Sequence, residues 1–415
     1  MAAPWAHRYA RRTKCAKSSI IRELLKLTQR PEVISFAGGM PAPQVFPVEK
    51  FKEACSKVLT DNPTAALQYG PTEGYLPLRQ FIVGQMARYG ILAGIDNVMI
   101  TSGSQQALDL IAKLLINRGD RILVESPSYL GALQAFDLMG AEYVTVPIDD
   151  HGLNTDYLEA ALRSGPKFMY ILPNFQNPGG VTLSEDRRRE LVLLSDKYGI
   201  PIVEDDPYGQ LRYEGEHKTP LLVLDRTNLQ RDKGYTLGNV IYLSTFSKLL
   251  APGMRLGWIV APPDVIARLV QIKQSSDLHT STFNQMVTYE VARDGFLEEH
   301  VKLIRGVYSE RKDAMLRAMT DYFPEEVTWT HPHGGLFLWV TLPTGINARH
   351  LLDEALRHDV AFVPGDPFFA DGDKGSHMRL NFSNATPELI REGVRRLSIA
   401  VAHEMEHAGA AMATA

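Results

Sequence analysis

From about residue 96 to 262 the chain alternates short runs rich in Val, Ile and Leu with longer stretches whose apolar positions recur at helical spacing. The short runs predict strands at 98–101, 121–125, 142–146, 168–172, 202–204, 240–244 and 257–260. Between them, Ser184-Glu185-Asp186 reads as a capped helix start, with Leu191, Leu194 and Tyr198 on the apolar face. Upstream, Val48, Phe51, Cys55, Val58 and Leu59 mark another amphipathic helix. Strands alternating with helices predict an α/β unit, a mostly parallel sheet covered on both faces.

Past about residue 290 the rhythm changes. A long helix leads to a strand at 336–342, a helix at 348–358 and extended runs at 361–364 and 378–382. A terminal helix follows, with Thr386 as N-cap and Pro387 at its first position, and then an Ala-rich tail expected to fray. The expected division is an N-terminal arm and helix at 1–45, a large unit at 46–290 and a smaller α+β unit at 291–415.

Charge and composition narrow the partners. The 415 residues are 45% apolar and carry a net charge of −4, which fits a globular enzyme and leaves no footprint for nucleic acid or an anionic membrane. No apolar run approaches the roughly 18 residues that cross a bilayer, and the first residues lack a signal-peptide core. Cys15 and Cys55 cannot build a disulfide framework, so a cytoplasmic protein is expected. The five basic residues between Arg8 and Lys17 read as a solvated or docked arm rather than a mitochondrial leader.

In an open parallel sheet, ligands bind beyond the carboxyl ends of the strands. After 240–244 come Thr245, Ser247, Lys248 and Arg255. A lysine leaving an apolar strand is poorly hydrated, sheds its charge readily and can attack a carbonyl, while hydroxyls and an arginine can hold a phosphate. An isolated Ser-Lys pair is more often a solvated strand end, but other segments converge here. Thr101-Ser102-Gly103-Ser104-Gln105 leaves a strand through glycine and opens a helix whose free N–H groups suit an anion. Another strand leads into Pro173–Gly180, which sets Asn177 before a proline. A third leads into Glu204-Asp205-Asp206-Pro207-Tyr208, where buried carboxylates would need a facing cation.

With Ser35-Phe36-Ala37-Gly38-Gly39-Met40-Pro41-Ala42-Pro43 and Leu67-Gln68-Tyr69-Gly70-Pro71-Thr72-Glu73-Gly74-Tyr75, these segments resemble the class I/II aminotransferases of the pyridoxal-phosphate fold type I group. The resemblance runs from about residue 18 to 397 and is closest to 2-aminoadipate aminotransferases and their broad-specificity relatives. It implies that Lys248 binds pyridoxal 5'-phosphate as a Schiff base and that Asp205 pairs with the pyridine nitrogen. Tyr208 and Asn177 would hydrogen-bond the ring's phenolic oxygen, and Tyr129 would stack on the ring. Ser104 and Gln105 N–H groups, Thr245, Ser247 and Arg255 would hold the phosphate. Tyr69 would reach the phosphate of a neighbouring subunit, which implies a homodimer. Thr245 stands where many relatives carry serine and keeps the hydroxyl.

By the same resemblance, Arg379 would clamp the substrate α-carboxylate, with Asn177 and Gly39 beside it, and Arg22 on an N-terminal helix would meet the substrate's far end. The ordinary alternatives are a core tyrosine for Tyr129, a structural salt bridge for Arg379 and a solvated helix arginine for Arg22. The implied reaction is ping-pong transfer of an amino group from an L-amino acid (2-aminoadipate, glutamate, aromatic or branched-chain) to a 2-oxo acid such as 2-oxoglutarate. A lyase of the same fold is one rival. The other, a regulator with an aminotransferase-like domain behind a DNA-binding module, is disfavoured because the match begins so early. His403-Glu404-Met405-Glu406-His407 fits a zinc pattern without a third ligand downstream, and His331 and His333 lack acidic or thiol partners, so no metal is expected.

Overall fold

The computed structural model describes residues 5–15, 24, 30, 32–228, 238–372 and 375–413, so Arg22 lies outside the described residues. A short β1 (Ile34–Ser35) precedes an eight-stranded sheet. Its strands are β2 (Val98–Thr101), β3 (Arg121–Ser126), β4 (Glu142–Asp149), β5 (Gly152–Leu153), β6 (Met169–Ile171), β7 (Ile202–Asp205), β8 (Val240–Thr245) and β9 (Gly257–Val260), in the order β2-β9-β8-β7-β6-β3-β4-β5. Only β9 and the edge strand β5 run against their neighbours. The reversal at β9 has a use. Thr245 pairs with Gly257, so the chain between them loops over the carboxyl edge of the sheet and returns beside the strand it left. That loop carries Ser247, Lys248 and Arg255.

Alternate residues of the buried strands feed separate cores on the two faces of the sheet, as the pleat requires. Ile122, Val124, Tyr170, Val203, Ile241 and Leu243 pack against helices Ser104–Leu115, Leu130–Met139 and Pro263–Ser276. Leu123, Met169, Ile171, Ile202 and Val240 pack against Glu185–Tyr198 and Leu221–Asn228. Helix Glu185–Tyr198 starts where expected. Ser184 Oγ accepts the Arg187 N–H, two acids occupy the first turn, and Gly199 ends the helix in the left-handed conformation.

A smaller antiparallel sheet, β10 (Thr328–Trp329), β11 (Phe337–Thr341), β13 (Val363–Pro364) and β14 (His377–Asn381), has the order β10-β11-β14-β13, and the intervening β12 (Val360–Ala361) pairs instead with β1. The expected single run at 361–364 is thus split, because the chain crosses between sheets at the fully buried Phe362. Strand β4 also outruns its expected end at 146: Pro147 has no N–H to give, but its carbonyl accepts the Asn154 N–H at 2.9 Å, and β5 pairs with the strand from Ile148 onward. The terminal helix, Pro387–Ala413, is capped by Thr386 Oγ1, which accepts the Leu389 N–H at 3.4 Å. Its backbone is helical as far as Ala413, within the Ala-rich stretch expected to fray, consistent with alanine's helix propensity. Among the described residues no helix is long and apolar enough to cross a membrane.

Candidate active site

The carboxyl edge of the large sheet opens into a cavity of about 890 Å³, a figure that includes the solvent at its open mouth. It is lined by Gly39, Ser104, Gln105, Tyr129, Asn177, Asp205, Tyr208, Thr245, Ser247, Lys248, Arg255 and Arg379. Twelve of the fourteen residues singled out from the sequence therefore meet in one space. Arg22 is not described, and Tyr69 lies elsewhere, 77% exposed with its ring edge against His279.

At the phosphate end, helix Ser104–Leu115 begins at Gly103 with no side chain capping it. The first N–H returned to the helix is that of Gln106, to the Gly103 carbonyl, which leaves the Ser104 and Gln105 N–H groups as open donors. Ser104 Oγ is buried without a partner. Gly103 has φ +79°, and a Cβ there would stand 2.5 Å from Arg255 Nη2, so only glycine lets the guanidinium approach this helix end. Arg255 itself takes φ +53°, a costly conformation for a side-chain-bearing residue that turns the loop back into β9. The Thr245 hydroxyl is already engaged: it accepts the Ser247 N–H at 3.1 Å and lies 2.8 Å from the Leu256 carbonyl. Its Oγ1 also lies 2.9 Å from Ser247 Oγ, so the two hydroxyls are hydrogen-bonded to each other at the phosphate end and Thr245 positions Ser247.

At the opposite end, Asp205 is 1% exposed. Its Oδ2 accepts the Tyr170 hydroxyl at 2.7 Å, and its Oδ1 is buried with no partner. Burial pushes its pKa up to about 7, with the Tyr170 hydrogen bond opposing and the Asp206 charge adding to the rise. The three consecutive carboxylates have separated: Glu204 accepts the first N–H groups of helix Leu221–Asn228, and Asp206 takes Asn174, Gly209 and Tyr242. Asp205 alone faces the cavity.

Lys248 extends between these ends, and its Nζ donates to the Gly39 carbonyl at 2.7 Å. Burial first, then the Arg379 and Arg255 charges, bring its pKa down to about 8. Arg379, on β14, is 1% exposed and lies over the Phe337 and Phe368 rings at 4.2 and 5.1 Å. It donates to Asn177 Oδ1 and the Ala37 carbonyl, both at 2.9 Å, while its Nε is unsatisfied. Among the described residues it has no ion-pair partner, and burial lowers its pKa to about 10. Tyr129 is accommodated by Gly131, where a Cβ would stand 2.5 Å from the Tyr129 hydroxyl.

Sequence reasoning missed Tyr170, Phe337 and Phe368. All three sit in apolar surroundings that read as ordinary core, and nothing in their spacing marks them as site residues. Near the terminus, His403 and His407 bring Nε2 atoms within 3.1 Å of each other on an exposed helix face, and among the described residues no group of three metal-ligand side chains forms.

An open helix end beside an arginine, an amine of lowered pKa and an orphaned carboxylate oxygen are what a phosphate, an aldehyde and a ring cation would respectively require. Pyridoxal phosphate carries all three, and the residues present fit it. A cavity so equipped, on a mostly parallel sheet beside a small antiparallel one, defines a pyridoxal-phosphate-dependent enzyme of fold type I. The chain belongs to the aminotransferases of class I and II, whose family model matches residues 32–397. It is 47% identical to aromatic-amino-acid aminotransferase 1 of Thermococcus litoralis, over 94% of this chain and 93% of the relative. It is 45% identical to the 2-aminoadipate transaminase of Thermus thermophilus, over 96% of this chain and 97% of the relative. Among solved structures, an α-aminoadipate aminotransferase of Thermus thermophilus, complexed with N-(5'-phosphopyridoxyl)-L-leucine, superposes with a TM-score of 0.91 at 40% identity, covering 97% of this chain and all of that one.

Proposed function

We propose that this aminotransferase works as a cytoplasmic homodimer and moves the amino group of 2-aminoadipate, glutamate and aromatic or branched-chain L-amino acids to a 2-oxo acid such as 2-oxoglutarate. The observation that carries the reading is Arg379, a buried guanidinium with no carboxylate partner among the described residues, in the same cavity as Lys248 and the unpaired oxygen of Asp205. A buried cation without a counter-ion is costly, and a substrate α-carboxylate would offset that cost. Phe337 and Phe368 cover the guanidinium and keep water from competing for it.

Bound in this cavity, pyridoxal phosphate supplies an electron sink for the pair left behind at the substrate Cα. Asp205 Oδ1 accepts from the ring nitrogen and favours its protonated form. Ser104 and Gln105 N–H groups, Ser247 and Arg255 hold the phosphate, with Thr245 fixing Ser247. Tyr129 covers the ring, and Asn177 and Tyr208 meet its phenolic oxygen. Lys248 is the covalent anchor and then the proton carrier at Cα. Its pKa near 8 leaves part of the population neutral at physiological pH, as a base requires. Arg379 fixes the carboxylate, which sets the bonds at Cα that Lys248 can reach, with Gly39 lining the substrate's place.

Tyr69, exposed and away from its own chain's cavity, is available to complete a partner's phosphate site. Arg22 would balance an acidic side chain and turn away for an apolar one. The relatives named for aromatic amino acids and for 2-aminoadipate support this dual range. The test is a panel of acidic, aromatic and branched-chain donors with 2-oxoglutarate, measuring glutamate formed and ammonia released. Glutamate in step with donor consumed is the expected result. Ammonia in place of glutamate would favour the lyase and end this reading.

A further inference from the structure

We infer that Tyr170 is a positioning residue that holds Asp205 in the orientation and charge state that recognise the cofactor's ring nitrogen. This rests on the proposed contact between Asp205 and that nitrogen. Tyr170 lies on β6 and pairs in register with Val203 of β7, so Asp205, two residues on, projects from the same face of the sheet. The tyrosine has no exposed surface, and its ring is held edge-on against Phe136 at 5.7 Å. Phe136 and Phe168 supply aromatic packing in the same core without a polar atom, so a phenylalanine at 170 would serve packing alone.

The Tyr170 hydroxyl instead reaches Asp205 Oδ2 at 2.7 Å. That hydrogen bond has two effects. It stops the carboxyl group from rotating, which leaves Oδ1 as the fixed acceptor toward the cavity, and it stabilises the ionised form against desolvation. Burial and the neighbouring Asp205 charge hold the phenol proton in place, so the group remains a donor. Without the hydroxyl, Asp205 would be freer to turn and easier to protonate, and a neutral acid is a weaker partner for a ring cation.

The test compares apo wild type, Tyr170→Phe and Asp205→Asn for equilibrium binding of pyridoxal phosphate and of an analogue whose ring nitrogen is replaced by carbon. Tyr170→Phe is expected to weaken pyridoxal phosphate binding by about 10-fold, the scale of one hydrogen bond to a charged group, and to leave the carbon analogue unchanged. The analogue doubles as the folding control. Equal weakening of both ligands would mean a packing role and overturn the inference, as would wild-type binding of both. If Asp205→Asn retains the wild-type preference for the nitrogen-bearing ring, the Asp205 contact itself fails and the Tyr170 inference falls with it.

Discussion

Replacing Arg379 is the most informative perturbation of substrate recognition. In the free protein its guanidinium makes two hydrogen bonds, to Asn177 and Ala37, leaves Nε unsatisfied and has two aromatic rings across its faces. A bidentate carboxylate would add two charge-assisted hydrogen bonds at roughly 1.5–3 kcal/mol each, so Arg379→Ala should lower kcat/KM by about 10²- to 10⁴-fold. Because the α-carboxylate is common to every amino donor and every oxo acid, KM should rise for both half reactions. Arg379→Lys keeps the charge but loses the planar fork and should fall between the two. Arg379 also helps hold the Lys248 pKa down, so its removal should raise that pKa and move the activity profile toward alkaline pH. Steady-state kinetics on an acidic donor, an aromatic donor and 2-oxoglutarate, with the bound cofactor's visible absorption as a control, read all of this. An unchanged KM for any of the three, in a variant that still binds cofactor, would refute the assignment.

Gly131→Ala places a Cβ 2.5 Å from the Tyr129 hydroxyl and 2.7 Å from Gln105 Oε1, so the ring must move. Loss of its stacking, about 1 kcal/mol, should weaken cofactor binding roughly 5-fold in a fluorescence titration. In the cofactor-free protein, the Asp205 pKa of about 7 stands above the ordinary value of 3.8. Its carboxyl group stays neutral in the fold where the unfolded chain ionises. That contribution is whole below about pH 4 and is lost as pH rises through about 7, at most about 4 kcal/mol. The difference in Tm between apo wild type and Asp205→Asn should therefore shift against wild type across this window. Glu125 and Glu204, raised to about 8 and about 7 by burial, slope in the same sense in both proteins and cancel. Parallel curves would show that Asp205 is not held neutral.

The alternation of apolar runs and helical stretches made the large sheet legible because its central strands are buried on both faces. Residues just beyond those strands could be found from topology alone, since ligands gather at that edge. Supporting contacts were less visible. The Tyr170 hydroxyl matters only because β6 and β7 pair in one register, and residue spacing does not reveal register. Thr245 illustrates a second limit. Its hydroxyl suggests a phosphate donor, and the structure adds partners that the sequence does not reveal, Ser247 Oγ and the Leu256 carbonyl within the same loop. The antiparallel return of β9 was also hidden, although it holds Lys248 over the sheet edge.

Every role given to the cavity depends on Lys248, and no other amine, covalently carrying pyridoxal phosphate. Incubating the protein with pyridoxal phosphate, reducing with borohydride and mapping the peptides by mass spectrometry decides whether it does. One phosphopyridoxyl group per chain is expected, on the peptide containing Lys248, and none in Lys248→Ala. A stoichiometric label on a different lysine, or unlabelled wild type, would contradict that anchor.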